Sequence, residues 1–456
     1  MTRSFRLPDA VRNPVSIIGM AIATTMAILF IVLLLLELFG LLQNPYIGLV
    51  LFVTLPVLFI AGLLLIPVGG WAAARRRRLH PEAPEWPVID LRVPRQRQIA
   101  FAVVVLTIVN LVIVSLAAYG GVHYMDSPQF CGQVCHTTME PEYVAAQRWP
   151  HAHVECAQCH VGPDVGAFVQ AKLSGTRQLY KVVTNTVPKP VPPPEHLIRP
   201  ARDTCETCHW PEEMHGDVTK VIREYANDEK NTESTTTIRL HVGGGSARLG
   251  VGTGIHWHMN LDNKVEFVSK VDAKGEQTIP YVRLTDDKGR VREFYGEGVT
   301  KAQVAGLPVQ RMDCMDCHNR PAHTFDSTPQ RAVDNAMAIG RLPRELPYLR
   351  REAVAAVSAD YPDRAAGLQA IATRLTDFYR SRPDIDQRLV QRAVATAQDV
   401  WRVNVFPAMH VKWGTYPNNL GHVDTPGCFR CHDDSHKAAD GKVISQDCEL
   451  CHTAPE

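Results

Sequence analysis

Hydrophobic residues are concentrated in the first 120 positions of this 456-residue chain, where they form three long runs. The runs cover residues 15–42, 46–71 and 99–118. Each is long enough for a bilayer-spanning helix, which needs about 20 apolar residues. The first run is too long for a cleaved signal peptide, lacks a small-residue cleavage site and is followed at once by the second run. The pattern therefore predicts three transmembrane helices.

Basic residues flank these runs unevenly. The turn at 43–45 contains no basic residue, and after the third run no lysine or arginine occurs before Arg148. Loops rich in arginine stay on the cytoplasmic side of a membrane. We therefore expect a bacterial cytoplasmic (inner) membrane protein whose N-terminus is cytoplasmic and whose chain after residue 120 is periplasmic. The arginines that decide this are Arg3, Arg6, Arg12, Arg75, Arg76, Arg77, Arg78, Arg92, Arg95 and Arg97.

The pattern changes twice in the second half of the chain. Residues 235–298 alternate as β-strands do, most clearly at 236–241, 265–268 and 279–284, and the sequence from Asp286 to Gly289 is typical of a hairpin turn. Helical periodicity follows, most clearly at 353–358, 365–379 and 390–405. We therefore predict a transmembrane anchor at 1–120, a domain at 121–220, a β-rich insert at 221–310, and a C-terminal domain at 311–456 with a helical insert at 329–405.

Twelve cysteines lie after residue 120, in six pairs that are each followed by a histidine. Cys-x-x-Cys-His is the attachment motif of c-type haem, in which two thiols bind the haem vinyl groups and the histidine ligates the iron. The first pair has three intervening residues, a known variant. A single motif could equally be a zinc half-site or a redox dithiol, but six motifs that leave no cysteine over predict six covalently bound haems. They are Cys131-Cys135-His136, Cys156-Cys159-His160, Cys205-Cys208-His209, Cys314-Cys317-His318, Cys428-Cys431-His432 and Cys448-Cys451-His452.

The chain has nineteen histidines, so many remain outside the six motifs as candidates for the sixth coordination position of each iron. A histidine on its own is more often a surface or hydrogen-bonded residue, but six irons that need ligands change that balance. His256 and His258 alternate on a predicted strand and should therefore point the same way. His215, His258 and His410 rank behind the main candidates, which are His151, His241, His256, His323, His422 and His436.

Composition and chemistry agree on the general class. The net charge of +1 gives no electrostatic basis for binding nucleic acid. Haem attachment takes place outside the cytoplasm, which matches the expected topology. We expect a membrane-anchored multihaem cytochrome c, with three N-terminal transmembrane helices and a haem-organised, mainly α and loop periplasmic domain that carries a small β-rich insert.

Residues 99–215 resemble the NapC/NirT family of membrane-anchored quinol dehydrogenases, and the later motifs resemble extended inner-membrane multihaem relatives. The resemblance implies that electrons pass from menaquinol or ubiquinol to a periplasmic redox partner. It also places Lys172 at the quinol, Asp164 at the open side of the first iron, and Met139 as a candidate ligand of that iron. The matching features are the helix that leads into the first motif, Met139-Glu-Pro-Glu-Tyr143, His151, Cys159-His-Val-Gly-Pro-Asp164, Lys172 and Cys205-Glu-Thr-Cys-His-Trp-Pro-Glu-Glu213.

This chain departs from the short members of that family in two respects. They have one anchor helix and four haems, whereas this sequence predicts three helices and six haems. The additional residue between Cys131 and Cys135 also changes the position of Met139 relative to the motif histidine. The family's assignment of this methionine as an iron ligand therefore does not transfer directly to Met139.

Four functions compete at this point. The leading hypothesis is electron transfer from the membrane quinone pool to a periplasmic cytochrome or reductase. The others are a catalytic reductase that acts on a small oxyanion or nitrogen compound at an open iron, the same relay run in reverse as a quinone reductase, and a passive electron wire. Glu37, in the first run, and His123 are alternative positions for the quinol site, because ionisable groups within or beside a membrane span are functional candidates.

Overall fold

The computed structural model forms two compact units, Met1–Cys135 and His136–Glu456. The first unit contains the three long helices, and the second contains the motifs from the second to the sixth. The residues that the structure describes are 13–38, 54–79, 92–134, 136–148, 150–161, 165–192, 200–245, 253–271, 276–382 and 384–453.

The first unit consists of α1 (Pro14–Leu38), α2 (Leu55–Leu79) and α3 (Pro94–Asp126). Each helix is long and apolar enough to cross a membrane, which confirms the prediction of three spans. Helix α3 extends beyond the predicted 99–118 at both ends. It begins at Pro94, since proline is tolerated in the first turn of a helix, and it continues to Asp126. A π-helical turn, Phe130–Val134, follows and carries Cys131.

Helices α1 and α2 approach each other closely through small residues. A Cβ atom added to Gly19 would lie 2.7 Å from the carbonyl oxygen of Gly62, and one added to Gly62 would lie 2.9 Å from that of Gly19. The hydroxyl of Ser16 donates a hydrogen bond of 2.8 Å to the carbonyl oxygen of Ile66. Small residues and interhelical hydrogen bonds are the usual means by which helices associate in a membrane, where burial of apolar surface gives no driving force.

The haem motifs of the second unit lie on short helical segments. The segments that carry motif cysteines are α5 (Cys156–His160), α7 (Ala201–Cys205) and α9 (Cys314–Cys317), together with the 3₁₀ turns Gly427–Arg430 and Cys448–Leu450. The other helices of this part of the chain are α4 (His136–Ala146), which begins at the histidine of the first motif, α6 (Val165–Val183) and α8 (Lys301–Val304).

Two β-structures occupy the region of the predicted β-rich insert. The hairpin of β1 (Asp217–Tyr225) and β2 (Glu233–His241) stands apart from an antiparallel sheet with the order β5-β4-β3-β6. The three segments that alternate in the sequence fall in β2, β3 and β4, and the predicted turn joins β4 to β5 through a hydrogen bond of 2.9 Å from the Gly289 amide to the Asp286 carbonyl. The sheet strands are β3 (Lys264–Val271), β4 (Gln277–Thr285), β5 (Val291–Tyr295) and β6 (Gln310–Arg311).

One element of the sequence prediction is wrong. His256 and His258 lie on a 3₁₀ helix, Ile255–Met259, and not on a strand. The preceding residue, Gly254, has φ of 128°, which favours glycine and redirects the chain into this turn. The two histidines therefore project in different directions, with consequences for the site.

The largest core of the second unit lies in the helical insert, away from the motifs. Its helices are α10 (Pro329–Ala338), α11 (Leu349–Ser358), α12 (Arg364–Arg380) and α13 (Gln387–Arg402), close to the predicted segments. Asp363 and Asp386 cap α12 and α13 by accepting hydrogen bonds from backbone amides. The fully buried side chains include Leu349, Ile371, Leu375, Tyr379 and Trp401.

Gly367 gives a test of this packing. A Cβ atom at this position of α12 would overlap the ring of Trp401. Because overpacking of a core costs about 1–3 kcal/mol, we expect Gly367→Ala to lower the thermal midpoint of the helical signal in far-ultraviolet circular dichroism, with haem content unchanged. Gly175→Ala on α6 is the matched control, since no atom lies within 4 Å of the added carbon. An unchanged midpoint in Gly367→Ala would show that the Trp401 packing is wrong.

Candidate functional site

Each motif from the third to the sixth forms a single helical turn. The motif histidine donates its backbone N–H to the carbonyl of the first cysteine at 2.8 Å for His209 and His318, 3.0 Å for His432 and 3.1 Å for His452. In such a turn, residues three and four apart lie on the same face, so both thiols and the imidazole project together. The local geometry therefore suits one haem at each motif.

Five motif histidines lie opposite a second histidine from another part of the chain. The ring centroids of these pairs are 5.8–6.3 Å apart. A histidine nitrogen lies about 2.0–2.1 Å from a metal, so two imidazoles on opposite sides of one metal have ring centroids roughly 6.3 Å apart. The spacing fits one iron between each pair. The pairs are His160 with His323, His209 with His151, His318 with His256, His432 with His258, and His452 with His422.

Hydrogen bonds orient many of these rings. In six of them Nδ1 donates to a backbone carbonyl, which leaves Nε2 for the iron, the usual arrangement of a metal-binding histidine. The acceptors are the carbonyl oxygens of Pro321 for His151 (3.0 Å), Glu142 for His323 (3.0 Å), Val242 for His256 (2.5 Å), Ile255 for His258 (2.9 Å), Ser445 for His432 (2.7 Å) and Thr453 for His452 (2.9 Å).

The surroundings also favour neutral rings. Burial lowers the pKa of His160, and the nearby His323 contributes next. Burial likewise lowers the pKa of His258 and of His318. A histidine must be unprotonated to bind a metal, so these shifts favour the ligating form.

Four of the six histidines predicted as sixth ligands take part in these pairs: His151, His256, His323 and His422. His436 does not. It is 3 % exposed, and its two ring nitrogens face Asp433 Oδ1 at 2.8 Å and the Ile279 carbonyl oxygen at 2.6 Å, which leaves neither for an iron. His258 is the histidine that faces His432 instead.

His241 is also engaged elsewhere. Its Nδ1 hydrogen-bonds Asp217 Oδ1 at 3.0 Å, within the β1–β2 hairpin. In the part of the chain that the structure describes, no motif histidine ring lies opposite it. We therefore leave His241 and His436 out of the ligand set that we propose below.

The residues around the first motif are described only in part. Cys131 lies on the π-helical turn, and the backbone of His136 begins α4, on which Met139 is half-buried. Lys172 is a half-buried residue of α6. Cys135, the side chain of His136, the side chain of Glu37 and Asp164 lie outside the described residues.

Cysteine side chains of successive motifs lie near enough to affect one another's pKa. The thiol of Cys205 hydrogen-bonds that of Cys314, which raises the pKa of Cys205 and lowers the pKa of Cys314. Burial raises the pKa of Cys317 to about 11, and the neighbouring Cys428 contributes next. Burial also raises the pKa of Cys159, with Cys156 and then Cys208 contributing, and that of Cys451, with Cys428 contributing next. The motifs thus follow one another in space in the order second, third, fourth, fifth and sixth.

Arg430, inside the fifth motif, joins that motif to its neighbours. Its Nε donates to the Gly427 carbonyl at 2.8 Å, its Nη2 donates to the Asp316 carbonyl at 2.8 Å, and its Nη1 contacts the Gln277 side chain on β4. Asp316 lies inside the fourth motif, and burial raises its pKa to about 6. The sequence gives no signal for this bridge, because the partners come from three separate segments.

A buried carboxylate stands beside His323. Glu142 Oε2 lies 3.3 Å from His323 Nδ1, and Glu142 Oε1 lies 3.5 Å from Arg320 Nη1. The Arg320 guanidinium stacks 3.9 Å from the centroid of the Tyr416 ring. A carboxylate next to the outer nitrogen of a ligating histidine fixes the ring orientation and raises its basicity. The sequence analysis includes Glu142 only as part of the Met139–Tyr143 segment, without a role, and does not single out Arg320.

The arrangement does not resemble a metal-ion site built from side chains alone. Among the described residues, no three histidine, cysteine, aspartate or glutamate side chains converge as ligands of one ion would. The histidines meet in twos, each beside a cysteine pair, which is what an iron porphyrin attached through thioethers needs. The zinc alternative therefore has no site in this part of the chain.

Comparisons with known proteins agree with this geometry. The family model described as NapC/NirT cytochrome c family, N-terminal region, matches residues 93–191. Cytochrome c-type protein ImcH of Geobacter sulfurreducens is 38 % identical over 448 residues, which cover 96 % of this chain and 87 % of that protein. No solved structure matches the chain. With this degree of identity along nearly its whole length, the chain belongs to the NapC/NirT cytochrome c family and is a membrane-anchored multihaem cytochrome c that transfers electrons.

Proposed function

We propose that this cytochrome carries six c-type haems and oxidises membrane quinol, passing the electrons to a periplasmic redox partner. The observation that supports this most strongly is the series of five imidazole pairs at motifs that are neighbours in space. Iron held by two strong ligands in both redox states changes little on reduction, which suits a relay. The three membrane helices before the first motif bring the start of the relay to the quinone pool.

Bound haem supplies a one-electron carrier at each motif, and the chain supplies its ligands and surroundings. Five histidine pairs would hold the haem irons of the second to sixth motifs: His160 and His323, His209 and His151, His318 and His256, His432 and His258, and His452 and His422. For the first haem we assign Cys131, Cys135 and His136, with Met139 as the candidate second ligand. Axial ligands and hydrogen bonds to them are the main means by which a protein sets the potential of a haem.

The quinol site in this proposal lies beside the first haem. Lys172 donates a hydrogen bond from its ammonium group to a quinol oxygen, and the carboxylate of Asp164 accepts a proton. A quinol that loses two electrons also releases two protons, so both residue types serve the reaction. The arginine distribution supports a periplasmic position for this site and for the haems.

The far end of the relay is open to a partner. Cys448 of the sixth motif is exposed, and Leu450 within the same turn is 47 % exposed. An electron can leave only where a haem comes close to the partner protein, and the sixth motif combines an exposed cysteine with the last place in the order of motifs; Cys208 of the third motif is exposed as well. A reductase would instead need an open iron, whereas the pairing supplies two imidazoles at each of these five motifs. The same relay would serve a quinone reductase if the potentials of pool and partner were reversed.

The number of haems is directly measurable. Intact-mass spectrometry of the mature protein should show six covalent haem additions, because each of the six cysteine pairs has its histidine. Five additions would mean that the motif at Cys131, with its longer spacing, is not used. That result would also remove the cofactor next to the membrane on which quinol oxidation depends.

The ligand assignment at the fifth haem has a matched pair of variants. We expect His258→Ala to convert one iron from low to high spin with haem content unchanged, because it removes the ring opposite His432. His436→Ala should leave every iron in its original spin state, since that ring binds Asp433 and Ile279. Electron paramagnetic resonance of the oxidised variants distinguishes the two. A high-spin iron in His436→Ala and none in His258→Ala would reverse the assignment.

Quinol oxidation itself is tested with Lys172→Ala and Asp164→Ala. A hydrogen bond to a charged group contributes about 1.5–3 kcal/mol, so each variant should slow haem reduction by a menaquinol analogue on the order of tenfold to a hundredfold. Reduction by dithionite and the haem content should not change. Lys288→Ala, in the exposed hairpin turn, is the control for loss of a lysine charge. Wild-type quinol rates in both site variants would move the site to Glu37 or His123.

A further inference from the structure

Helix α6 presents an apolar stripe on its exposed face. Val169, Leu173, Tyr180 and Val183 recur at helical spacing and are 50 %, 68 %, 68 % and 77 % exposed. Leu179, on the same side, is 47 % exposed. A contiguous patch of exposed large apolar side chains marks a surface that meets a partner or a membrane.

The charges of α6 indicate which of these it meets. The helix contains no aspartate or glutamate, and its charged residues are Lys172, Arg177 and Lys181. By helical spacing, Lys172 lies on one flank of the stripe, and Arg177 and Lys181 lie on the other. An amphipathic helix with basic residues beside an apolar face is typical of a helix that lies in the membrane interface, where lysine and arginine reach anionic headgroups.

The opposite side of the helix is of a different kind. Ala167, Ala171, Ser174 and Val182 are less exposed than the stripe and mostly small. Gln178 also lies on this side and is exposed, so this side offers a solvent-accessible position away from the stripe.

We infer that α6 lies in the headgroup region of the membrane, with the stripe of Val169, Leu173, Tyr180 and Val183 inserted among the acyl chains of anionic phospholipid. The inference rests on the membrane anchoring of the chain and not on the proposed quinol chemistry. Where the quinol proposal also holds, it places Lys172 at the level from which a lipid-soluble quinol would approach.

The test uses the full-length haem-loaded protein, one chain per lipid nanodisc, in phosphatidylcholine with phosphatidylglycerol. The native cysteines are the proposed haem attachment sites, so labelling by a membrane-impermeant maleimide is followed at the peptide that contains the single introduced cysteine. Leu173→Cys and Tyr180→Cys sample the stripe. Gln178→Cys is the matched control, because Gln178 is also exposed but lies away from the stripe on the same helix. Mass spectrometry reads both the labelling and the haem content.

We expect the two stripe positions to react about tenfold or more slowly than position 178, as burial in lipid requires. Equal rates at all three positions would overturn the inference. Protection that appears only when two chains share a disc would also overturn it, because it would assign the stripe to a second copy. A wild-type rate of quinol oxidation in Lys172→Ala with the stripe still protected would contradict the quinol proposal alone. Slowed quinol oxidation in Lys172→Ala with the stripe unprotected would contradict the membrane inference alone.

Discussion

The pairing of five motif histidines with histidines from distant segments is the constraint on which, in our proposal, the haem-bearing unit depends. His323 meets His160, and His258 meets His432, across long stretches of chain. Each bound haem therefore acts as a cross-link that closes a large loop, and closing a long loop removes more chain entropy than closing a short one. Short helical turns and loops suffice between the motifs because the cofactors hold them.

The helical insert and the β-rich insert supply the hydrophobic cores that the haem motifs lack. The α10–α13 insert contains the largest buried core, and the β3–β4 region forms a second one around Phe267 and Val282. The β3–β4 region reaches the motifs: β4 receives Arg430 from the fifth motif, and the turn before β3 carries His256 and His258, two of the proposed ligands. Conventional packing thus sets the positions of side chains that then determine the surroundings of each iron.

Much of this could be predicted from the sequence where local chemistry decides the outcome. The apolar runs, the cysteine–histidine motifs, the helical periodicity and the alternating strands each depend on residues that are close together in the chain. The partner of each motif histidine depends on long-range packing instead. His436 stands four positions after His432, yet the chain turns so that Asp433 and the Ile279 carbonyl take both of its nitrogens. His258 fills that place because a 3₁₀ turn, not a strand, aims it away from His256. The contacts of Glu142 and Arg430 could not be predicted from the sequence, since their partners come from other segments, although Glu142 lies in the Met139–Tyr143 segment that carries the family resemblance.

The central claim is that the haem-bearing unit is a relay of irons with two imidazole ligands each. Electron paramagnetic resonance of the fully oxidised wild-type protein, with spins counted against haem concentration, tests this most directly. Five irons per chain should be low-spin with two imidazole ligands, one for each ring pair. Only the first iron is free to differ. Two or more high-spin irons per chain would contradict the relay and favour a reductase that acts at an open haem.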